Sequence, residues 1–205
     1  MSVFKSPRLW LFVWGGIGAL MLAYVMIAAS VQPSGSKASK QASVYNQDQS
    51  LLKGEMADFE YAFPPRPAPT ASFISNGENL FISSFRGQVV LVNFWATWCA
   101  PCLKELPSLD NLQGHFGGEA FQVVAIAADP KGPDVAQEYL DKLDLQYLDL
   151  YADPNLRVAS SIGGANVLPV SILYGPDSME IGRLVGEADW ASPEARALIE
   201  SALQN

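Results

Sequence analysis

The sequence predicts an α/β domain, a central mixed β-sheet flanked by helices, carried behind a single N-terminal transmembrane helix. Three observations predict it. A long uncharged apolar segment lies near the start of the chain. Two near-continuous apolar runs, Val89–Ala96 and Phe121–Ala127, are each followed by a helical pattern, as strands buried on both faces of a sheet require. Near the end, Val170–Tyr174 and Ile181–Val185 bracket a Gly175-Pro176-Asp177 turn, which makes them an antiparallel pair.

The first element is the apolar segment. From Leu9 to Ser36 the chain has no Asp, Glu, Lys, Arg or His, and Leu9–Val31 is almost wholly apolar. As a helix this stretch would span about 34 Å, enough to cross the hydrocarbon core of a bilayer. Lys5 and Arg8 precede it without any acidic residue. The positive-inside rule then leaves residues 1–8 in the cytoplasm, makes 9–31 the anchor and exports the remainder. A cleaved secretory signal is the competing reading, with Ala28-Ala29-Ser30 as the cleavage site. The apolar stretch is longer than the ~7–15 residues of a signal core, and both readings export the domain. Residues 32–50, rich in Ser, Gln, Lys and Ala, read as a flexible linker. The folded domain is assigned to 51–205.

Within that domain Pro64, Pro65, Pro67 and Pro69 enforce an extended lead-in. Ser72–Ser75 and Leu80–Ser83 flank Asn76-Gly77, a hairpin turn signal. Val89–Ala96 is a buried strand, Pro101 to about Gln113 a helix ended by Gly114, and Phe121–Ala127 a second buried strand. Pro133–Leu143 is amphipathic, with Val135, Tyr139, Leu140 and Leu143 on one side. Asn155–Ser161 is a short helix after an Asp-Pro start. The antiparallel pair follows, and Ser192 caps a last helix with Pro193 at its first position.

Composition narrows the function classes. The 205 residues carry a formal charge of -8. Without Lys5 and Arg8 the exported part has 11 basic against 21 acidic residues, a charge of -10. That balance excludes a nucleic-acid binder, which needs a basic face against phosphate. Two cysteines exclude a disulfide-rich scaffold. With a single histidine, His115, a closed Cys/His zinc site of four ligands is excluded too, so no metal site is expected. His115 itself reads as a solvated helix-end residue.

The two cysteines are the most informative residues. Cys99-Ala100-Pro101-Cys102 follows the first buried strand and opens a helix. At this spacing both sulfurs can meet in one disulfide, and the free N–H groups and dipole of the helix start favour the thiolate of Cys99. Cys99, expected at the exposed edge, attacks a partner's disulfide; Cys102, one turn inside, then attacks Cys99 and releases the reduced partner. A structural disulfide and half of a metal site are the competing readings, and the latter needs ligands the chain lacks.

The run VVLVNFWATWCAPCLKELPSL, Val89–Leu109, resembles the active-site strand and helix of the thioredoxin superfamily. The Asn93–Trp98 segment and Lys104-Glu105-Leu106-Pro107 resemble the membrane-anchored TlpA/ResA/CcmG group, and the tail Gly186–Glu194 is similar to that of TlpA. The resemblance covers about residues 51–205 and implies a thioredoxin-like fold with an extra hairpin before the first buried strand. It implies a thiol:disulfide oxidoreductase whose only redox group is the Cys99–Cys102 disulfide, with no bound cofactor. Pro169 matches the cis-proline that faces the cysteines, and Trp98 matches the aromatic beside the nucleophile. Ala100, Pro101, Val167 and Leu168 complete the expected substrate-contact surface. The thioredoxin position of a buried Asp is here Asn93, which cannot titrate. Glu105 occupies the place of the acidic residue used in the ResA branch. It is expected to take the proton of Cys102; the alternative is a solvated glutamate or an ion pair with Lys104.

The resemblance further implies a single-pass protein of the bacterial cytoplasmic membrane with its C-terminal domain in the periplasm. There it reduces cysteine pairs of exported proteins and is recharged by a membrane donor of DsbD or CcdA type. Two substrates compete: proteins of cytochrome oxidase copper-site assembly, favoured by the TlpA-like tail, and apocytochrome c. The loop Gly163–Val170 lacks the Glu after proline of the CcmG branch, which weakens the second. A copper-binding chaperone would need a histidine beyond His115, and a peroxiredoxin would need its Thr three residues before the Cys; Thr97 lies two before Cys99.

Overall fold

The computed structural model describes residues 45–204. The cytoplasmic segment, the anchor at 9–31 and most of the linker lie outside the described residues. Among the described residues no helix is long and apolar enough to cross a membrane.

In chain order the strands are β1 (Glu60–Tyr61), β2 (Phe73–Ser75), β3 (Glu78–Leu80), β4 (Val89–Trp95), β5 (Phe121–Ala127), β6 (Tyr151–Ala152), β7 (Val170–Tyr174) and β8 (Glu180–Val185). The helices are α1 (Ala100–Phe116), α2 (Pro133–Lys142), α3 (Arg157–Ser161) and α4 (Pro193–Leu203). The strands form one mixed sheet in the order β1-β8-β7-β4-β5-β6-β2-β3. β4 runs parallel to β5 and antiparallel to β7, and all seven of its residues are buried.

Alternation along β4 divides the core. Leu91 and Trp95 join Leu106 and Leu109 of α1, Leu140 of α2 and Leu198 of α4 on one face. Val90, Val92 and Phe94 point to the other, against Phe73, Ile82, Tyr151 and Val158 of α3. The successive crossovers β4-α1-β5 and β5-α2-β6 travel the same way across the sheet, so right-handedness places α1 and α2 together. Burying each such side chain contributes about 1.5–3 kcal/mol.

Several elements differ from the sequence expectation. The hairpin turn is at Asn76-Gly77, both at positive φ of 49° and 80°, as a type I′ turn requires. Its second strand, however, is Glu78–Leu80, and Ile82–Phe85 is a 3-10 turn. The first helix does not end at Gly114. It continues to Phe116 with Gly117 as its C-cap. An internal glycine costs a helix only about 1 kcal/mol, and the missing Cβ leaves room for the Tyr147 ring, whose carbons would lie 2.8 Å from it. On α2 the buried residues are Ala136 and Leu140; Val135, Tyr139 and Leu143 are half-buried. α3 starts at Arg157, where the buried Asp153 carboxylate accepts from the N–H groups of Arg157, Val158 and Ala159. The two-residue strands β1 and β6 carry too short a pattern to be read.

Order also begins earlier than 51. Tyr45 is buried and its hydroxyl donates to Asp177 in the β7–β8 turn. Asp48 caps the 3-10 turn Gln49–Leu51 by accepting from Ser50 N–H. Residues 45–50, assigned to the linker by composition, therefore pack on the domain.

Candidate active site

β4 delivers the chain to the site. Cys99 is the N-cap of α1, and its Sγ accepts from Cys102 N–H at 3.3 Å. Ala100 and Pro101 occupy the exposed first turn, where a proline sacrifices no helical hydrogen bond. Cys99 and Cys102 are joined in a disulfide, Cα–Cα 5.3 Å. Cys99 is only 5% exposed and Cys102 0%, so the expected exposed edge is a narrow window onto Cys99. The exposed residue of the turn is Trp98, at 59%. A donor aimed at Cys99 Sγ from a helix start favours the thiolate once the bond is reduced.

The second wall comes from the segment before β7. The Leu168–Pro169 peptide bond is cis. Pro169 is buried and its carbonyl accepts from Gly186 N–H at 3.0 Å. Val170 pairs with Phe94 at the end of β4, so the sheet register brings the proline to the strand end from which the cysteine turn departs. Val167 is exposed and Leu168 half-buried. A second cis bond, Phe63–Pro64, was not foreseen in the sequence.

Glu105, one turn after Cys102 on α1, is buried at 3% exposure. It is neither a solvated glutamate nor the partner of Lys104, whose Nζ pairs instead with Glu187 at 2.6 Å. Glu105 Oε1 accepts from Asn93 Nδ2 at 2.6 Å and Oε2 from Ala188 N–H at 3.2 Å. Burial pushes its carboxyl up to about 7, against the opposing pull of Asn93, Ala188 N–H and the nearby Trp190 indole. That indole N–H is buried without a well-formed hydrogen bond. Asn93 Nδ2 also donates to Ser171 Oγ at 2.9 Å, and its Oδ1 has no partner among the described residues.

A cleft of about 450 Å³ reaches Glu105 between α1 and the tail, lined by Glu55, Lys104, Ser108, Glu187 and Asp189 among others. Neither cysteine lines it. The tail is tied down by Trp190 N–H, which donates to Ser108 Oγ at 3.0 Å. His115 is exposed in the last turn of α1, as expected. Among the described residues no three His, Cys, Asp or Glu side chains gather as metal ligands would.

Two parts of this site escaped the sequence. Trp190 lies within the tail Gly186–Glu194 with no local pattern to mark it, yet it is fully buried near Glu105. Asp129, buried at the exit of β5, accepts from both the N–H and the hydroxyl of Thr97. A charged residue directly after an apolar strand was the available signal for it.

Residues 65–172 match the redoxin family model. The thiol-disulfide oxidoreductase ResA of Bacillus thuringiensis (strain Al Hakam) is 27% identical over 139 residues, 67% of this chain and 78% of the relative. Among solved structures, a thiol:disulfide interchange protein of the thioredoxin family from Chlorobium tepidum TLS is similar with TM-score 0.56 and 28% identity, covering 68% of this chain and 97% of that one. StoA from Bacillus subtilis is similar in fold, with TM-score 0.52, 21% identity, and 66% and 98% covered.

Proposed function

The chain belongs to the redoxin family and is a thioredoxin-like thiol:disulfide oxidoreductase, and from that premise we propose that it is a membrane-anchored reductant acting outside the cytoplasmic membrane. The observation that carries the chemistry is the Cys99–Cys102 disulfide at the start of α1, with the buried Glu105 carboxylate three residues after Cys102 on the same helix.

In the reduced protein the Cys99 thiolate attacks one sulfur of a substrate disulfide. That S–S bond breaks, a mixed disulfide forms on Cys99, and the second substrate sulfur leaves as a thiolate. Glu105 takes the proton of Cys102. The resulting thiolate attacks Cys99 Sγ, and the reduced substrate departs. Two electrons have passed to the substrate, and the Cys99–Cys102 disulfide remains. A membrane donor of DsbD or CcdA type returns them by the same exchange run in the opposite sense. Tethering both partners in one membrane raises the rate of their encounter. Trp98, next to Cys99 in sequence, and Val167, two residues before Pro169, are both exposed and offer the apolar surface on which a substrate chain lies, and the backbone beside Pro169 pairs with it.

The uncharged segment 9–31 behind Lys5 and Arg8 supports the anchored, periplasmic location. The substrates are cysteine pairs of exported proteins. The TlpA-like tail Gly186–Glu194 supports those of cytochrome oxidase copper-site assembly; apocytochrome c is the alternative. The reduction potential tests the direction of transfer. A value well below the roughly -120 mV of a strong periplasmic oxidant fits a reductant, and a value near it overturns the reading. Location is tested by C-terminal reporter fusions: alkaline phosphatase should be active there and a cytoplasmic reporter silent.

A further inference from the structure

Between the end of β4 at Trp95 and the start of α1 at Ala100 the chain turns within four residues, and the nucleophile is the last of them. Within this turn Cys99 N–H donates to Ala96 carbonyl at 3.1 Å. What ties the turn to the rest of the fold comes from the neighbouring strand. Asp129 Oδ2 accepts from Thr97 N–H at 2.9 Å and from Thr97 Oγ1 at 2.6 Å. The carboxylate is itself held, because Oδ1 accepts from Lys131 N–H at 2.9 Å and the Asp129 carbonyl accepts from Gly132 N–H at 3.1 Å. Both residues are sealed from solvent, Asp129 at 1% and Thr97 at 4% exposure.

An ionised group in that setting is costly unless its donors compensate. Burial does oppose the charge, but the Thr97 hydroxyl, followed by the Lys131 and Thr97 N–H groups, outweighs it and holds the carboxyl below its ordinary range. The three bonds are therefore charge-assisted, the stronger kind. A side chain that served only to close the β5–α2 turn would need the Lys131 bond alone. The fork onto Thr97 reaches across to the other strand and grips the backbone two residues before Cys99 and one before Trp98.

We infer that Asp129 and Thr97 form a clamp that positions the nucleophile turn, setting where Cys99 Sγ and the Trp98 ring meet a substrate disulfide. Asp129 is a positioning residue, since its contacts are to Thr97 and the following turn. The inference rests on the reading of Cys99 as the attacking sulfur. Displacing a reacting atom by about 1 Å can lower a rate about a hundredfold.

The experiment uses the reduced full-length protein in detergent and three substitutions. Thr97→Val deletes the hydroxyl but keeps shape and backbone N–H, Thr97→Ser keeps the hydroxyl, and Asp129→Asn removes the charge. The rate of insulin disulfide reduction and the ultraviolet titration of the Cys99 thiolate are read together with the melting temperature. Thr97→Val should reduce insulin roughly tenfold more slowly and move the Cys99 titration midpoint. Asp129→Asn should do the same, and Thr97→Ser should restore both readouts. Wild-type rate and titration in Thr97→Val and Asp129→Asn overturn the clamp, as does an equal loss in Thr97→Ser. Cys99→Ser, run alongside, separates the two levels: if it still reduces insulin, the reading of Cys99 fails and not the clamp alone.

Discussion

The side-chain amide of Asn93 donates to Glu105 Oε1 at 2.6 Å inside the protein, with neither residue open to solvent. The bond joins β4 to the second turn of α1, the helix that the cysteines open. It also opposes the effect of burial on Glu105, because a donor to a carboxylate favours the charged form. Asn93→Ala should therefore raise the Glu105 carboxyl further above about 7. Infrared titration of the carboxyl band in the oxidised protein measures this, and an unchanged or lower midpoint contradicts it.

Glu105 makes the stability of the oxidised protein depend on pH. Its folded value of about 7 lies above the 4.5 of a free glutamate, so the native state binds the proton more tightly than the unfolded chain. Its contribution is fully present below about pH 4.5 and is lost as pH rises to about 7. The loss is of order 3 kcal/mol. Glu105→Gln removes the titration, so the variant should gain on the wild type between pH 5 and pH 8 in urea unfolding. Parallel curves for the two proteins would contradict the assignment.

Trp98 stands exposed beside a nearly closed Cys99. Truncation to Ala should lower the exchange rate with protein disulfides about tenfold, equivalent to roughly 1.4 kcal/mol of contact. The rate with a small disulfide such as oxidised glutathione should change far less. An equal fall with both would mean that Trp98 acts on the cysteine and not on the substrate.

Far from the site, Gly182 of β8 leaves space for β1. A Cβ there would lie 2.5 Å from the Glu60 carbonyl and 2.5 Å from the Phe59 ring, and backbone cannot swing aside. Gly182→Ala should destabilise the domain by about 1–3 kcal/mol while leaving the thiol titrations unchanged. A variant of full stability would show that the β1–β8 pairing gives way without cost.

The long buried strands were legible because each seven-residue run carries a single polar residue, Asn93 in β4 and Gln122 in β5, too few to make a polar face. β5 matches its sequence boundaries, and β4 differs by one residue. The cysteine turn was legible because Pro101 and the Cys spacing both demand a helix start. The short pieces were not. β1 and β6 are two residues each, below any periodicity, and Tyr45 anchors a segment whose composition is that of a tether. Glu105 was marked by its position after Cys102, but its burial depends on Ala188 and Trp190, more than eighty residues away. The Asp129–Thr97 contact crosses between strands that only the parallel register brings together. Local pattern records the faces of an element and is silent on which distant side chain closes over it.

The exchange mechanism is tested most directly by Cys102→Ser in the full-length protein, with disulfide-linked species isolated from the cell envelope and mapped by mass spectrometry. The expected result is a mixed disulfide held on Cys99, joined to a cysteine of an exported protein that carries a cysteine pair, and absent from Cys99→Ser. Recovery of the cross-link in Cys99→Ser, or a Cys102→Ser protein that turns over disulfides at the wild-type rate, would contradict it.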